Sequence, residues 1–159
     1  MKSSPTSAAG FTLTELMIVV VIVGILAAVA LPSMGSLSAS QRVRNASFDL
    51  YSLFNIARSE AIKRNANVTI TPVSIGGVFS RLDITAADGT LIHKKSAPQG
   101  VSITTAVSGI TYQRTGRVTS AGTGATFQLD VEGSATPTAN VRCITVGLSG
   151  VPQTRKGIC

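Results

Sequence analysis

The sequence predicts an α+β fold in which a long N-terminal α-helix packs on an antiparallel β-sheet head. An uncharged apolar run extends from Leu16 to Leu31, a helically spaced apolar stripe follows between residues 43 and 61, and short β-type runs separated by turn residues occupy the rest. The chain has 159 residues, of which 44% are hydrophobic and 13% are charged. This composition fits one small domain beyond an apolar N-terminal segment.

The apolar run predicts a membrane-spanning helix over residues 11–32, since residues 11–31 as a helix would be about 31 Å long, close to the hydrocarbon thickness of a bilayer. A secretory signal peptide is the first alternative, favoured by Lys2 and by the small residues at 28–30. That reading is weakened by an acidic residue at the start of the run and by a polar ten-residue leader before it. A buried core helix fits less well because the uncharged span reaches Gln41.

The residues Gly10-Phe11-Thr12-Leu13-Thr14-Glu15 and the apolar run after them resemble the class III leader and N-terminal helix of type IV pilins and type II secretion pseudopilins. Residues 58–65, the Gly116-Arg117-Val118 step and the cysteine-bounded tail resemble FimT/FimU minor pilins and the related H-type pseudopilins. The resemblance implies the type IV pilin fold, residues 1–10 as leader peptide and cleavage by a prepilin peptidase between Gly10 and Phe11. It also implies N-methylation of Phe11 and a role for Glu15 in assembly.

Glu15 places a carboxylate at the entrance of the apolar run. An acid at the centre of a spanning helix costs about 2.5–3.5 kcal/mol, and less near an interface, so such a residue is a functional hypothesis by default. After cleavage, the helix dipole would favour the carboxylate in the first turn, and the amino terminus of a neighbouring subunit would be a suitable partner. Glu15 would then set the register of assembly; the alternative is contact with lipid headgroups.

Pro32 predicts a kink or a weakened segment, because proline removes a backbone donor from the helix. Residues 33–65 are predicted to form the amphipathic half of the same helix, ending at Asn65 to Asn67. Its apolar stripe, expected to pack on the sheet, consists of Val43, Ala46, Leu50, Leu53, Ala57 and Ala61, widened by Phe54 and Ile62.

Residues 66–159 are predicted to form the β-rich head. Gly76-Gly77 is a hairpin signal between the runs 68–75 and 78–84, and Asp88-Gly89 turns the chain into 90–92. The remaining strand candidates are 101–104, 110–112, 117–119, 127–131 and 141–146. Apolar residues at 127, 129 and 131 alternate with polar ones, which predicts a sheet with one buried and one wet face.

The two cysteines, Cys143 and Cys159, are separated by fifteen residues. In a chain exported from the cytoplasm, they predict a disulfide bond. In the chain-entropy model, closing a loop of this size contributes about 3 kcal/mol. A metal site or redox couple is disfavoured because the sequence has one histidine and no Cys-x-x-Cys spacing.

Enzymatic activity and a bound cofactor are not predicted. His93 is the one histidine, and no local motif places a nucleophile and an acid beside it. The glycines at 116, 122 and 124 lack the lysine and the strand-to-helix context of a phosphate-binding loop.

The formal net charge of +7 is compatible with a phosphate-bearing partner. Basic residues concentrate in three sets: Lys94 with Lys95; Arg114 with Arg117; and Arg142, Arg155 and Lys156. The third set is the candidate for double-stranded DNA, because the predicted disulfide would hold two of its members on a constrained loop. Some FimT-like pilins bind DNA through a Gly-Arg-x-Arg motif, from which residues 149–157 depart in spacing. The alternative is a solvated loop or a contact with a neighbouring subunit.

Taken with the resemblance, the sequence predicts a structural minor pilin without enzymatic activity. It would enter the inner membrane of a Gram-negative bacterium with its head in the periplasm, then join other major and minor pilins in a type IV pilus. Its expected role is in assembly, priming or the tip complex. Two alternatives remain: a DNA-binding minor pilin for natural transformation, and an H-type pseudopilin of type II secretion.

Overall fold

A computed structural model of the chain describes residues 11–119, 124–134 and 140–159, except for the side chains of residues 29–34 and 36. The chain divides into two compact units, Met1–Leu37 and Ser38–Cys159. Gly10 and the side chain of Pro32, both named as candidate site residues, lie outside the described part.

Helix α1 extends from Leu13 to Arg64 and contributes to both units. It includes position 32, and the kink expected at Pro32 stays a prediction. Among the described residues, no helix has both the length and the apolar character needed to cross a bilayer, so the membrane span predicted for residues 11–32 is not confirmed.

The C-terminus of α1 is closed by two backbone hydrogen bonds. The N–H of Asn65 donates to the carbonyl oxygen of Ile62, and the N–H of Ala66 donates to that of Ala61, both at 3.2 Å. Asn65 has φ of 50°, the left-handed conformation that ends many helices, and asparagine tolerates it better than most residues. The predicted helix stop at Asn65 to Asn67 is therefore confirmed.

Two antiparallel four-stranded sheets form the rest of the second unit. Sheet A has the order β3-β2-β1-β5, and sheet B has the order β4-β6-β7-β8. The strands are β1 (Val68–Ile75), β2 (Val78–Ala86), β3 (Leu91–Ser96), β4 (Val101–Thr105), β5 (Ile110–Tyr112), β6 (Ala125–Val131), β7 (Arg142–Val146) and β8 (Pro152–Lys156). The α+β prediction, with a long helix on antiparallel strands, is confirmed, although the strands form two sheets.

One strand prediction was wrong, and one strand was missed. Residues 117–119 do not form a strand, because the chain turns at Gly116 and only Val118 makes an isolated bridge, to Tyr112. Strand β8 was not predicted. It has little apolar alternation and joins sheet B through its antiparallel pairing with β7.

The apolar stripe of α1 packs against both sheets and closes one core. All six predicted stripe residues are at most 2% exposed, and Phe54 is fully buried. The rings of Phe54 and Phe127 lie 5.1 Å apart between centroids, tilted by 51°. Ile62 is 51% exposed, so its expected place in the core was wrong. It follows Ala61 by one residue, a rotation of about 100° around the helix away from the sheets.

Candidate functional site

The start of α1 carries the predicted assembly residue, Glu15. Thr12 is the helix N-cap: its carbonyl oxygen accepts a hydrogen bond from the N–H of Leu16, and its hydroxyl accepts one from the N–H of Glu15, both at 3.2 Å. Thr12 and Glu15 thus have the Thr-x-x-Glu spacing of a capping box, which fixes Glu15 in the first turn, where the helix dipole favours a carboxylate. No described residue forms an ion pair with this carboxylate.

The first half of α1 leaves its apolar side chains exposed. Phe11 is 85% exposed, and every large hydrophobic residue from Leu13 to Leu26 is between 50% and 75% exposed. These residues occur on all sides of the helix instead of on one stripe, which is typical of a helix covered all round by lipid or by other helices. The surface is therefore suited to association, and it has one carboxylate at its beginning.

The structure separates the three basic residues that were predicted to bind DNA together. Arg142 of β7 lies opposite Lys156 of β8, and Cys143 lies opposite Arg155. Directly opposed residues share a face of a sheet, whereas successive residues of a strand point to opposite faces. Arg142 and Lys156 therefore lie on one face of sheet B and Arg155 lies on the other, within a strand instead of a loop.

Arg155 is also engaged at the end of the chain. Its guanidinium donates a hydrogen bond of 3.1 Å to the carbonyl oxygen of Cys159, and the N–H of Cys159 donates one of 3.3 Å to the side-chain oxygen of Gln128. Cys143 and Cys159 form the predicted disulfide bond, with Cα atoms 5.1 Å apart. These contacts fasten the last residues across β6, β7 and β8 and use part of the hydrogen-bonding capacity of Arg155.

The other two basic sets also differ from each other. In the first, Lys95 makes an ion pair of 2.7 Å with Asp49 on α1 and so ties the edge strand β3 to the helix. Lys94 has no ion pair with any residue that the structure describes. Arg114 and Arg117, in the turn after β5, are exposed and likewise unpaired within the described ranges.

A close contact between α1 and two loops was not predicted from the sequence. The guanidinium of Arg58 donates a 3.0 Å hydrogen bond to the carbonyl oxygen of Gly116. Gly116 has φ of 73°, and a Cβ there would lie 2.8 Å from Cδ1 of Ile62. A Cβ at Gly150 would collide with the same Gly116 carbonyl oxygen. The collision with backbone requires glycine at position 150, and the positive φ favours glycine at position 116, where the end of the Ile62 side chain can move aside. The sequence signal for this contact was the glycine preceding Arg117.

Tyr112 lies beside this contact. Its side chain is fully buried, and its hydroxyl has no hydrogen-bond partner among the residues that the structure describes. Burial raises the pKa of the Tyr112 phenol well above its usual value, although the Arg58 charge acts in the opposite direction. The phenol is therefore neutral at any ordinary pH, and this part of the head is a packing element.

His93 is exposed on the edge strand β3, where it lies opposite Ile84 of β2. In the described ranges, no group of three His, Cys, Asp or Glu side chains is placed to hold a metal ion.

Comparison with protein-family models gives two matches that follow the division of the chain. Residues 6–31 match the prokaryotic N-terminal methylation motif. Residues 46–150, about two thirds of the chain, match the model described as type II transport protein GspH. The chain belongs to the GspH family. No curated protein matches it.

Solved structures support the same fold for this GspH-family chain. The type IV minor pilin FimU of Pseudomonas aeruginosa, in a P21 crystal form, has a TM-score of 0.58 at 19% identity, covering 72% of this chain and 89% of FimU. A second crystal form of FimU gives 0.55 at 20% identity, covering 70% and 91%. The minor pseudopilin EpsH from the type 2 secretion system of Vibrio cholerae gives 0.55 at 12% identity, covering 72% and 97%. At these identities the likeness concerns the fold.

The GspH family and the N-terminal motif fix the class of protein. The chain is a pilin-like subunit of a type IV pilus or of a type II secretion apparatus, with a structural and non-enzymatic role. Its methylation motif implies processing by a prepilin peptidase, assembly with other pilin-like subunits, and passage through the inner membrane to the pilus or secretion apparatus.

Proposed function

We propose that the protein is a minor pilin of a type IV pilus, taking part in priming and in the tip complex, and that residues 11–32 are its assembly segment. The observation that carries this proposal is the methylation motif over residues 6–31, which leads into an exposed apolar helix with a single carboxylate. The second unit, Ser38–Cys159, which joins the amphipathic half of α1 to the head, has its own closed core and needs no other chain to bury its apolar stripe.

In this proposal the prepilin peptidase cuts between Gly10 and Phe11 and methylates the new amino terminus. Methylation leaves the ammonium positively charged. The subunit would wait in the inner membrane with its head in the periplasm. Residues 1–10 are then leader, 11–32 the membrane and assembly helix, 33–65 its amphipathic continuation, with Pro32 as a point where the helix bends, and 66–159 the head.

Glu15 would select the position of each incoming subunit. Its carboxylate is costly to bury among apolar side chains unless an opposite charge comes beside it. The ammonium of a neighbouring subunit's Phe11 supplies that charge at one axial position and not at others. The pair then specifies register, while the exposed apolar side chains of residues 13–26 supply most of the association energy.

Neutralisation of Glu15 tests this role, and α1 offers a matched control. Glu15→Gln and Glu60→Gln each remove one carboxylate from the same helix, but Glu60 already pairs with Lys63 and Arg64 in its own chain. We expect Glu15→Gln to reduce the amount of subunit recovered in sheared filaments, with unchanged thermal unfolding of the head, and Glu60→Gln to assemble normally. Equal incorporation of Glu15→Gln and wild type would refute the register role.

An H-type pseudopilin of type II secretion is the second candidate, favoured by the name of the matching family model and by the likeness to EpsH. The two candidates predict different neighbours. Co-purification of the crosslinked chain with minor pilins from surface pili supports the first, and co-purification with components of the secretion system supports the second.

DNA binding for natural transformation receives less support. Arg155 lies on the opposite face from Arg142 and Lys156, and the DNA-binding proposal required these residues to act together. A titration with duplex DNA at several salt concentrations tests it. Loss of salt-sensitive binding in Arg155→Ala/Lys156→Ala, but not in Lys94→Ala, would restore the DNA proposal. For each phosphate contact that is lost, the slope of the logarithm of the binding constant against the logarithm of the salt concentration should become about 0.9 less steep.

A further inference from the structure

A polar cleft lies at the end of the head where α1 stops. It has a volume of about 350 Å³ and is lined by Asn65, Ala66, Asn67, Gln113, Arg114 and Thr115. The cleft brings together the turn that follows α1 and the turn that follows β5. Val68 opposes Tyr112 across strands β1 and β5, so the residues just outside the strands, Asn67 and Gln113, meet at the same end of sheet A.

Backbone hydrogen bonds preform both walls of the cleft. One wall is the helix cap, in which Asn65 and Ala66 donate to carbonyl oxygens of the last turn of α1. The other is a tight turn closed by two bonds of 2.8 Å, from Gln113 to Arg117 and from Gly116 to Gln113. The Arg58 bond to Gly116 anchors this second turn to the helix. Little ordering is needed when a ligand enters, which favours binding by exposed groups.

The chemistry of the lining is unusual for a ligand cleft. Such sites are mostly apolar, whereas Ala66 is the one apolar side chain among the six residues lining this one. Three carboxamides, from Asn65, Asn67 and Gln113, can each donate and accept hydrogen bonds, and Thr115 adds a hydroxyl. This combination matches the vicinal hydroxyl groups of a sugar ring.

Arg114 adds a charge that nothing in the described chain compensates. It is exposed and forms no ion pair with a described residue. Arg64, on the neighbouring last turn of α1, is held by Glu60 at 2.7 Å. A guanidinium binds a carboxylate through two parallel hydrogen bonds, so a ligand carboxylate is its natural complement. The cleft therefore offers one anion-binding group among several hydroxyl-binding groups.

We propose that this cleft binds an acidic monosaccharide unit, a hexuronic acid, with the carboxylate on Arg114 and the ring hydroxyls on the carboxamides. A volume of about 350 Å³ is near the lower end of the range for ligand sites, which fits one sugar ring. A concave site with one unpaired guanidinium suits this ligand better than duplex DNA, which requires a row of basic residues along its backbone. The proposal does not depend on the pilus assignment.

Saturation-transfer NMR on the full chain in detergent micelles, with the disulfide intact, tests the proposal. The probes are galacturonate and its neutral counterpart galactose. The variants are Arg114→Gln and Asn67→Ala, and Lys94→Gln is the control because it removes an unpaired, exposed charge from β3. Thermal unfolding of each variant checks that the head is intact.

For the wild type, we expect galacturonate to bind about tenfold more tightly than galactose, because only the acid engages Arg114. Arg114→Gln should abolish that preference, Asn67→Ala should weaken both sugars, and Lys94→Gln should change neither. The proposal is wrong if galacturonate shows no saturation transfer, or if it binds Arg114→Gln as well as wild type. The proposal would also be overturned if neither sugar showed saturation transfer while duplex DNA bound the wild type and did not bind Arg114→Gln.

Discussion

The two halves of α1 present apolar side chains to different surroundings. In the half before residue 37, the large hydrophobic residues from Leu13 to Leu26 are between 50% and 75% exposed and occur on every side of the helix. In the other half, the stripe from Val43 to Ala61 is at most 2% exposed and packs on two sheets of the same chain. Only the second half of α1 therefore completes its packing within the chain. The first half needs lipid or other subunits to cover it.

Truncation of one leucine in each half should separate these roles most clearly. Leu50→Ala removes a core side chain that is 2% exposed and should lower the free energy of unfolding of the head by about 2–5 kcal/mol. Leu16→Ala should leave that free energy unchanged, because Leu16 is 61% exposed in the folded chain. Urea denaturation in detergent, followed by tyrosine fluorescence, measures both. Equal losses would show that the two halves share one core.

The disulfide should affect only the head. Replacing both Cys143 and Cys159 by serine should cost about 3 kcal/mol, since the bridge closes a loop of about fifteen residues. The same denaturation assay measures the loss. The double variant should still fractionate with membranes as the wild type does; a shift to the soluble fraction would mean that the head also determines how the first half associates.

The contact between α1 and the 113–117 turn gives a third test, with a matched glycine as control. Both Gly116 and Gly89 have positive φ, 73° and 83°, but a Cβ would meet Cδ1 of Ile62 at 2.8 Å in the first case and nothing within 4 Å in the second. Gly89→Ala should therefore cost about 1–2 kcal/mol from the backbone alone. Gly116→Ala should cost about 1 kcal/mol more, because its Cβ would displace the half-exposed end of Ile62 and crowd Nε of Arg58 at 3.1 Å. Equal melting temperatures for the two variants would contradict this packing.

In the second half of α1, the ion-paired carboxylate of Glu60 should give the head a small dependence of stability on pH. The hydrogen bond from Arg64 is the main cause that lowers the pKa of Glu60 from its usual 4.5, and the charge of Lys63 adds to it. A lowered folded-state pKa means that the stabilisation is present above pH 4.5 and is lost as the pH falls through the folded value. The stability advantage of wild type over Glu60→Gln should shrink below that pH. A stability difference between wild type and Glu60→Gln that grows as the pH falls would contradict the lowered pKa of Glu60.

The helix was the most predictable part of the fold. Its stripe from Val43 to Ala61 repeats at helical spacing, and a helix stop is encoded locally by Asn65. Strand β8 could not be predicted in this way, because Pro152–Lys156 has little apolar alternation and owes its strand conformation to pairing with β7. Local pattern thus predicts elements that bury a face of their own, and it misses an edge strand that depends on a partner.

The same limit explains what was missed at the candidate sites. The Gly10 to Glu15 motif is contiguous, so its chemistry could be proposed from sequence. The separation of Arg155 from Lys156 and Arg142 depends on the register of β8, which the pattern does not encode. The polar cleft joins Asn67 to Arg114, which are distant in the chain and become neighbours only when β5 pairs with β1.

The intact mass of the mature protein, purified from its native membrane or filament, tests most directly whether the first half of α1 is an assembly segment. We predict a chain that begins at Phe11, carries one methyl group on its amino terminus and retains the disulfide. A mature chain that begins after Ala30 would contradict the account, because signal peptidase would then have removed the exposed apolar half together with Glu15.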